Sequence, residues 1–315
     1  MKRELIIHIG LMKTGSTKLQ RNYFPMLKNY RYLGKDDGLV DVHLSNFYEF
    51  IGSLAFGKNE TLFSSFRGFN EFLTSEEERR YGTKDNSVPL LISHEGFTRF
   101  LFHPIYEGIY GFWTADPKLV FSRLHEYGKT YNFNIKIILI KRNPSELLHS
   151  FYTQMFFYYT QNKHISNLKD YLKKVATDEL DQFGLSYLFN NKLENTLIRL
   201  FSKENVFCFD FHEIYKDNQH FNKHFAFIFN QEVKNFNVNK IENKKSYTHN
   251  VKKGSIKPHW LKSEGFIKSM NLAGKKFLYH FLPPEKQKKE IVWDEECEAL
   301  FNKIESMNKN QRSWL

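Results

Sequence analysis

The chain has 315 residues, 41% of them hydrophobic, enough to bury a large core as one α/β domain with insertions. Lys and Arg number 46 against 35 Asp and Glu, a formal charge of +11, which favours anionic partners such as nucleotides, acidic glycans, nucleic acid or a membrane surface without choosing among them. The two cysteines, Cys208 and Cys297, stand outside any Cys-x-x-Cys or Cys/His spacing and argue against a disulfide framework or a zinc site, and no stretch approaches the roughly 18 apolar residues of a bilayer span, so a soluble, cytoplasmic protein is expected.

Four short apolar or β-branched runs read as buried strands: Leu5 to Ile9, Leu90 to Ser93, Ile135 to Ile140 and Val206 to Phe209. The first is too brief for the core of a signal peptide. Between and after these runs, Thr17 to Phe24, Pro144 to Gln161 and Phe211 to Phe229 carry apolar residues at three- and four-residue steps, the mark of helices packed on a sheet. This alternation predicts an α/β fold with a central parallel sheet flanked by helices and joined by right-handed crossovers. Ligands of such sheets bind beyond the carboxyl ends of the strands, so the residues just after each run are the ones to read for chemistry. The stretch 35–87 is longer than a simple crossover needs and is expected to build part of an acceptor site. The polar, Asn- and Lys-rich stretch 234–255 reads as a loop that could order on ligand binding.

Directly after the first strand comes Gly10-Leu11-Met12-Lys13-Thr14-Gly15-Ser16-Thr17, followed by a helical pattern. A glycine turn feeding a helix presents backbone N–H groups to a phosphate, and the hydroxyls add donors. A Walker A loop would carry lysine where Ser16 stands, and the lysine inside this turn is Lys13, which argues against an ordinary ATP or GTP hydrolase. After the third strand stands Arg142-Asn143-Pro144, with Ser150 eight residues beyond the arginine. A guanidinium at a strand's carboxyl end with a hydroxyl nearby can hold a terminal phosphate through charge-assisted bonds. The second strand ends Ser93-His94-Glu95-Gly96, placing two candidate bases at the same crevice. Along a strand Ser93 and Glu95 face one way and His94 the other, so one of the two candidates points at an acceptor.

The turn resembles the 5′-phosphosulfate loop of the sulfotransferase family, roughly P-K-[ST]-G-[ST]-[ST] before a helix, with Met12 where the family commonly has proline. The family's 3′-phosphate site, an arginine after a strand and a serine on the next helix, is similar to Arg142 and Ser150 in spacing. Ser150 to Leu172 and Val206 to Asp217 look like further stretches of bacterial members, Ser93-His94-Glu95 resembles the S-S-E ending of one group, and Asn250 to Ser255 is similar to a loop that closes over the nucleotide. The resemblance implies a P-loop-like sulfotransferase fold, and as co-substrate 3′-phosphoadenosine 5′-phosphosulfate (PAPS), with no metal. By that resemblance Lys13, Thr14, Gly15, Ser16, Thr17, Arg142, Ser150, Lys253 and Gly254 bind the nucleotide. Glu95 is the first candidate for general base and His94 the second, with Lys13 stabilising the leaving phosphate. The expected acceptor is a hydroxyl or amine on a glycan or other small molecule, the basic charge favouring an acidic one, and not nucleic acid. A P-loop small-molecule kinase, or a non-enzymatic module that binds nucleotides or polyanions, is the alternative.

Overall fold

The computed structural model describes residues 2–11, 14–34, 42–94, 96–98, 116–162, 165, 167–176, 187, 191–233, 236 and 291–310, with side chains except at 42–45, 154–162 and 307–310. The elements below belong to one compact unit, Met1–Glu242 with Glu295–Leu315.

Five strands form a parallel sheet in the order β2-β3-β1-β4-β5: β1 Arg3–His8, β2 Arg31–Tyr32, β3 Leu90–Ser93, β4 Phe133–Lys141 and β5 Val206–Asp210. The four expected strands are there, three of them extended by one or two residues at an end, and β1 stops one residue earlier, at His8. The fifth, β2, is two residues long at an edge, so its sequence holds no run to detect. It is pinned by bonds from Arg31 N–H to the Pro89 carbonyl (2.9 Å) and from Leu33 N–H to the Leu91 carbonyl (2.8 Å). The α/β class with a helix-flanked parallel sheet is therefore as expected.

Alternation along the strands sorts the core into two layers. Leu5, Ile7, Leu90, Ile92, Ile137 and Leu139 face a layer built from α2 (Val42–Phe56), α3 (Asn59–Tyr81), α4 (Pro117–Thr130), the start of α5 (Pro144–Asn162) and α7 (Lys192–Phe201). Ile6, Leu91, Ile138 and Ile140 face the other layer, formed by the helical segment after β1 and by α8 (Phe211–Ile214) and α9 (Asn218–Phe229). That second layer is aromatic: Phe221 stacks on Phe225 at 4.3 Å, and Tyr23 meets Phe221 edge-on at 4.9 Å. Elsewhere α6 (Leu168–Ala176) is tied to α10 (Glu295–Asn310) by Lys169 and Glu296 at 2.6 Å.

Two helical expectations change. The segment after β1 is helical from Ser16 to Met26 but changes pitch twice: an α turn α1 (Ser16–Lys18), a π turn (Leu19–Tyr23) closed by Phe24 N–H on the Leu19 carbonyl, and a 3-10 turn (Phe24–Met26) holding Pro25. The expected helix from Phe211 to Phe229 is two helices. Asp210 caps the first by accepting from His212 and Glu213 N–H, and Asp217, in extended conformation, caps the second by accepting from His220 N–H at 2.7 Å. A carboxylate that satisfies the free amides of a new helix start stabilises that break; the apolar spacing ran across it.

β1 has β3 on one side and β4 on the other, so the chain crosses β1 between them. That crossing makes the carboxyl end of β1 the topological switch point, where open parallel sheets form their ligand crevice.

Candidate functional site

The Gly10–Thr17 turn starts at that switch point. Gly15 has φ +75°, a left-handed conformation that costs any residue with a Cβ about 1–2 kcal/mol. Its carbonyl accepts from Lys18 N–H at 3.0 Å, which turns the chain into α1. Thr14 is buried and spends its hydroxyl on the turn's own backbone, donating to the Leu11 carbonyl at 2.5 Å. Ser16 is buried with its Oγ directed inward, and Thr17 is half-buried. Thr98 secures the other side by donating to the Gly10 carbonyl at 2.7 Å. Lys13, the residue assigned to the leaving phosphate, lies outside the described residues.

Beneath the turn lies a polar cluster that the strand pattern did not reveal. His8 is the last residue of β1, fully buried beside Ser93 of β3 in register. Its Nδ1 is 2.7 Å from Ser93 Oγ, and Gln20 on the π turn donates to Ser93 Oγ at 3.1 Å and to the Ser93 carbonyl at 3.4 Å. Burial lowers the His8 pKa to about 3, so its ring is neutral near pH 7. One signal for it was present: a histidine inside an otherwise apolar run is an unusual occupant of a buried central strand.

Ser93 and His94 part to opposite faces, as the strand alternation requires. His94 turns toward α2, stacking on Phe47 at 5.0 Å and meeting Tyr48 edge-on at 5.1 Å, while its Nδ1 accepts from Gly96 N–H at 2.9 Å. That bond leaves the ring proton of neutral His94 on Nε2. Glu95 lies outside the described residues.

Arg142 follows β4, whose pairing with β1 sets Ile138 level with His8. It therefore stands four residues further along the strand direction, about 13 Å at the usual rise per residue. Its Nε donates to Glu146 at 2.9 Å, and its guanidinium lies over the Phe211 ring at 5.2 Å. Glu146 also meets His212 Nε2 at 2.8 Å. Partial burial opposes the charge on Glu146, but the bonds from Arg142 and His212 outweigh it and lower its pKa. Ser150, half-buried, is one turn beyond Glu146 at i,i+4 and so shares the helix face that meets Arg142. Asn143 caps this helix by accepting from Ser145 N–H at 2.9 Å.

Tyr215 connects the turn to the arginine. A Cβ on Gly15 would sit 3.0 Å from the Tyr215 hydroxyl, and the Tyr215 ring packs on Phe211 at 5.0 Å. Gly15, Tyr215, Phe211 and Arg142 thus form one continuous path along the carboxyl ends of β1, β4 and β5. The structure brings together the turn and the arginine, whereas His94 sits against α2; Lys253 and Gly254 lie outside the described residues. Two cavities, of about 320 Å³ at the amino ends of the strands and about 340 Å³ between α2 and α3, are lined by none of the candidate catalytic or nucleotide-binding residues, although the second lies wholly within the stretch 35–87.

No protein-family model matches the chain, and no curated protein matches it. Among solved structures it is similar to the crystal structure of a sulfotransferase from Alicyclobacillus acidocaldarius, at 14% identity, covering 78% of this chain and 88% of that one, with a TM-score of 0.45. No helix among the described residues is long and apolar enough to cross a membrane.

Proposed function

We propose that the protein is a PAPS-dependent sulfotransferase that moves a sulfuryl group to a hydroxyl or amine of a small acceptor, a glycan or other acidic compound being the favoured class. One observation carries the reading: the Gly10–Thr17 turn and Arg142 follow adjacent parallel strands at the switch point and are joined through Tyr215 and Phe211. A nucleotide with phosphates at both ends needs two anion sites held at fixed separation, and a Walker A loop supplies one.

In this reading the backbone N–H groups of Gly15, Ser16 and Thr17 hold the 5′-phosphosulfate. Arg142 and Ser150 hold the 3′-phosphate, while Thr14 braces the turn from within. Lys253 and Gly254 close over the nucleotide. The acceptor oxygen or nitrogen attacks sulfur in line; the bond from sulfur to the bridging phosphate oxygen breaks, and Lys13 neutralises the charge that develops on that oxygen. Glu95 takes the acceptor proton. His94, with its Nδ1 engaged by Gly96 N–H and its ring stacked on Phe47, is the second candidate.

Two variants separate the roles. Arg142→Ala is expected to weaken adenosine 3′,5′-bisphosphate binding by about 10- to 100-fold, the worth of a charged hydrogen bond. Glu95→Gln is expected to bind normally and to lose about 10²- to 10⁴-fold in turnover with PAPS. Full turnover in Glu95→Gln would overturn the base assignment, and unchanged binding in Arg142→Ala would overturn the 3′-phosphate site.

A further inference from the structure

The cluster under the turn has an open end. Ser93 Oγ accepts from Gln20, whose amide nitrogen is fixed in that direction because its second contact, the Ser93 carbonyl, can only accept. Ser93 therefore has its own proton to give, and His8 Nδ1 at 2.7 Å takes it. Neutral His8 then carries its ring proton on Nε2, and this buried donor has no hydrogen-bond partner among the described residues. Ser16 Oγ, inside the turn, is buried and likewise without a hydrogen-bond partner among the described residues. Both side chains border the space beside Gly10: a Cβ placed there would fall 2.0 Å from Ser16 Oγ and 3.3 Å from His8 Cε1. Gly10 is thus a glycine because these two side chains occupy the space a larger residue would need. Two buried, complementary polar groups left open side by side are rare, since each forfeits its bonds to water.

We propose that His8 is a positioning residue for the turn: when the turn takes its anion, the Ser16 hydroxyl closes onto His8 Nε2 and completes a chain Gln20–Ser93–His8–Ser16 that clamps the turn to the sheet. Each member donates to the next, so the chain is polarised in one direction and its bonds strengthen one another. The proton of the Ser16 hydroxyl remains as the last donor, turned toward the bound anion. Thr14, Thr98, the bond from Lys18 N–H to the Gly15 carbonyl and the packing of Gly15 on Tyr215 fix the turn from its other sides. The clamp rests on the reading of the turn as an anion site, although not on which nucleotide it takes.

The test follows the imidazole of His8 by nitrogen-15 and proton resonance in the full-length wild-type protein while adenosine 3′,5′-bisphosphate, inorganic pyrophosphate and sulfate are titrated separately. On saturation the Nε2 proton is expected to move downfield and to exchange more slowly, with Nδ1 unchanged. Alongside it, a double-mutant cycle of His8→Phe and Ser16→Ala measures anion affinity. Each single variant is expected to lose about tenfold, as for one buried hydrogen bond, and the double variant no more than either. His8→Gln, whose amide can still accept from Ser93 and donate to Ser16, is expected to recover most of the loss. Binding of the bisphosphate with an unmoved Nε2 signal, or losses that simply add, would overturn the clamp and leave the sulfotransferase reading standing. Pyrophosphate or sulfate shifting His8 while the bisphosphate fails to bind would overturn the sulfotransferase reading and leave the clamp. If none of the three anions binds, both fall.

Discussion

The two ends of the sheet differ in the buried polar groups they hold. At the amino ends, Glu77 of α3 is 1% exposed and receives Arg3 at 2.9 and 2.6 Å, Arg31 at 2.5 Å and the Asp85 N–H at 3.2 Å. Glu76, equally buried, is paired with Arg79 and Arg80. At the carboxyl ends, His8 Nε2, Ser16 Oγ and the Tyr215 hydroxyl are buried with no hydrogen-bond partner among the described residues, close to a left-handed glycine. Removing a charge partner from a closed network is costly because the remaining charge stays buried. Leaving a buried donor open is costly too. The amino end is tied by charged networks, and the carboxyl end is where the proposed anion site lies.

The contrast breaks first at Glu77. Glu77→Ala leaves Arg3 and Arg31 buried without their acceptor and is expected to cost about 3–5 kcal/mol, lowering the thermal midpoint by about 10 °C. Anion affinity of the folded fraction should be unchanged, and a loss below about 1 kcal/mol would mean that the network is not what fastens α3 to the sheet. Gly15→Ala acts at the other end. It is expected to lose about 1–2 kcal/mol of stability from the left-handed backbone. The new methyl would press on Tyr215, so anion affinity should fall as well. A variant that unfolds earlier yet binds as tightly would show that the turn's shape is not tied to binding.

The acid response differs in onset between the two ends. The pKa of His8 is lowered by burial to about 3, so the unfolded chain binds the extra proton first, and stability falls as pH drops from about 6.5 toward 3. Burial opposes the charge on Glu77, but the bonds from Arg3, Asp85 N–H and Arg31 prevail and lower its pKa. Its contribution is therefore intact above about pH 4.5 and is lost only below that. His8→Gln should flatten the midpoint from pH 6.5 down to about 3, whereas Glu77→Gln should change it only below about pH 4.5, so the window between 6.5 and 4.5 reports His8 apart from Glu77. Identical slopes in wild type and His8→Gln would remove His8 from the acid response.

The parts legible in sequence were those written in one local pattern. Strands β1, β3 and β4 show as apolar runs because both faces of a central parallel strand are buried, β5 at the edge shows as a shorter one, and the glycine turn and Arg142 stand directly after two of them. What escaped was written across the chain. β2 is two residues paired at an edge. Asp217 interrupts a helix whose apolar spacing runs straight through it, because a side-chain cap outweighs the pattern there. Gln20, Ser93 and His8 are separated by up to 85 positions and meet only because β1 and β3 are neighbours. Tyr215 gains its place against Gly15 from the short helix after β5, and nothing in its own neighbourhood marks it.

Calorimetric titration of the full-length protein with adenosine 3′,5′-bisphosphate and, separately, with ATP tests the central claim most directly, because only the first ligand offers the 3′-phosphate assigned to Arg142 and Ser150. The bisphosphate is expected to bind at least tenfold more tightly than ATP, with the preference lost in Arg142→Ala. Tighter binding of ATP would contradict it and turn the same site into that of a phosphoryl-transfer enzyme.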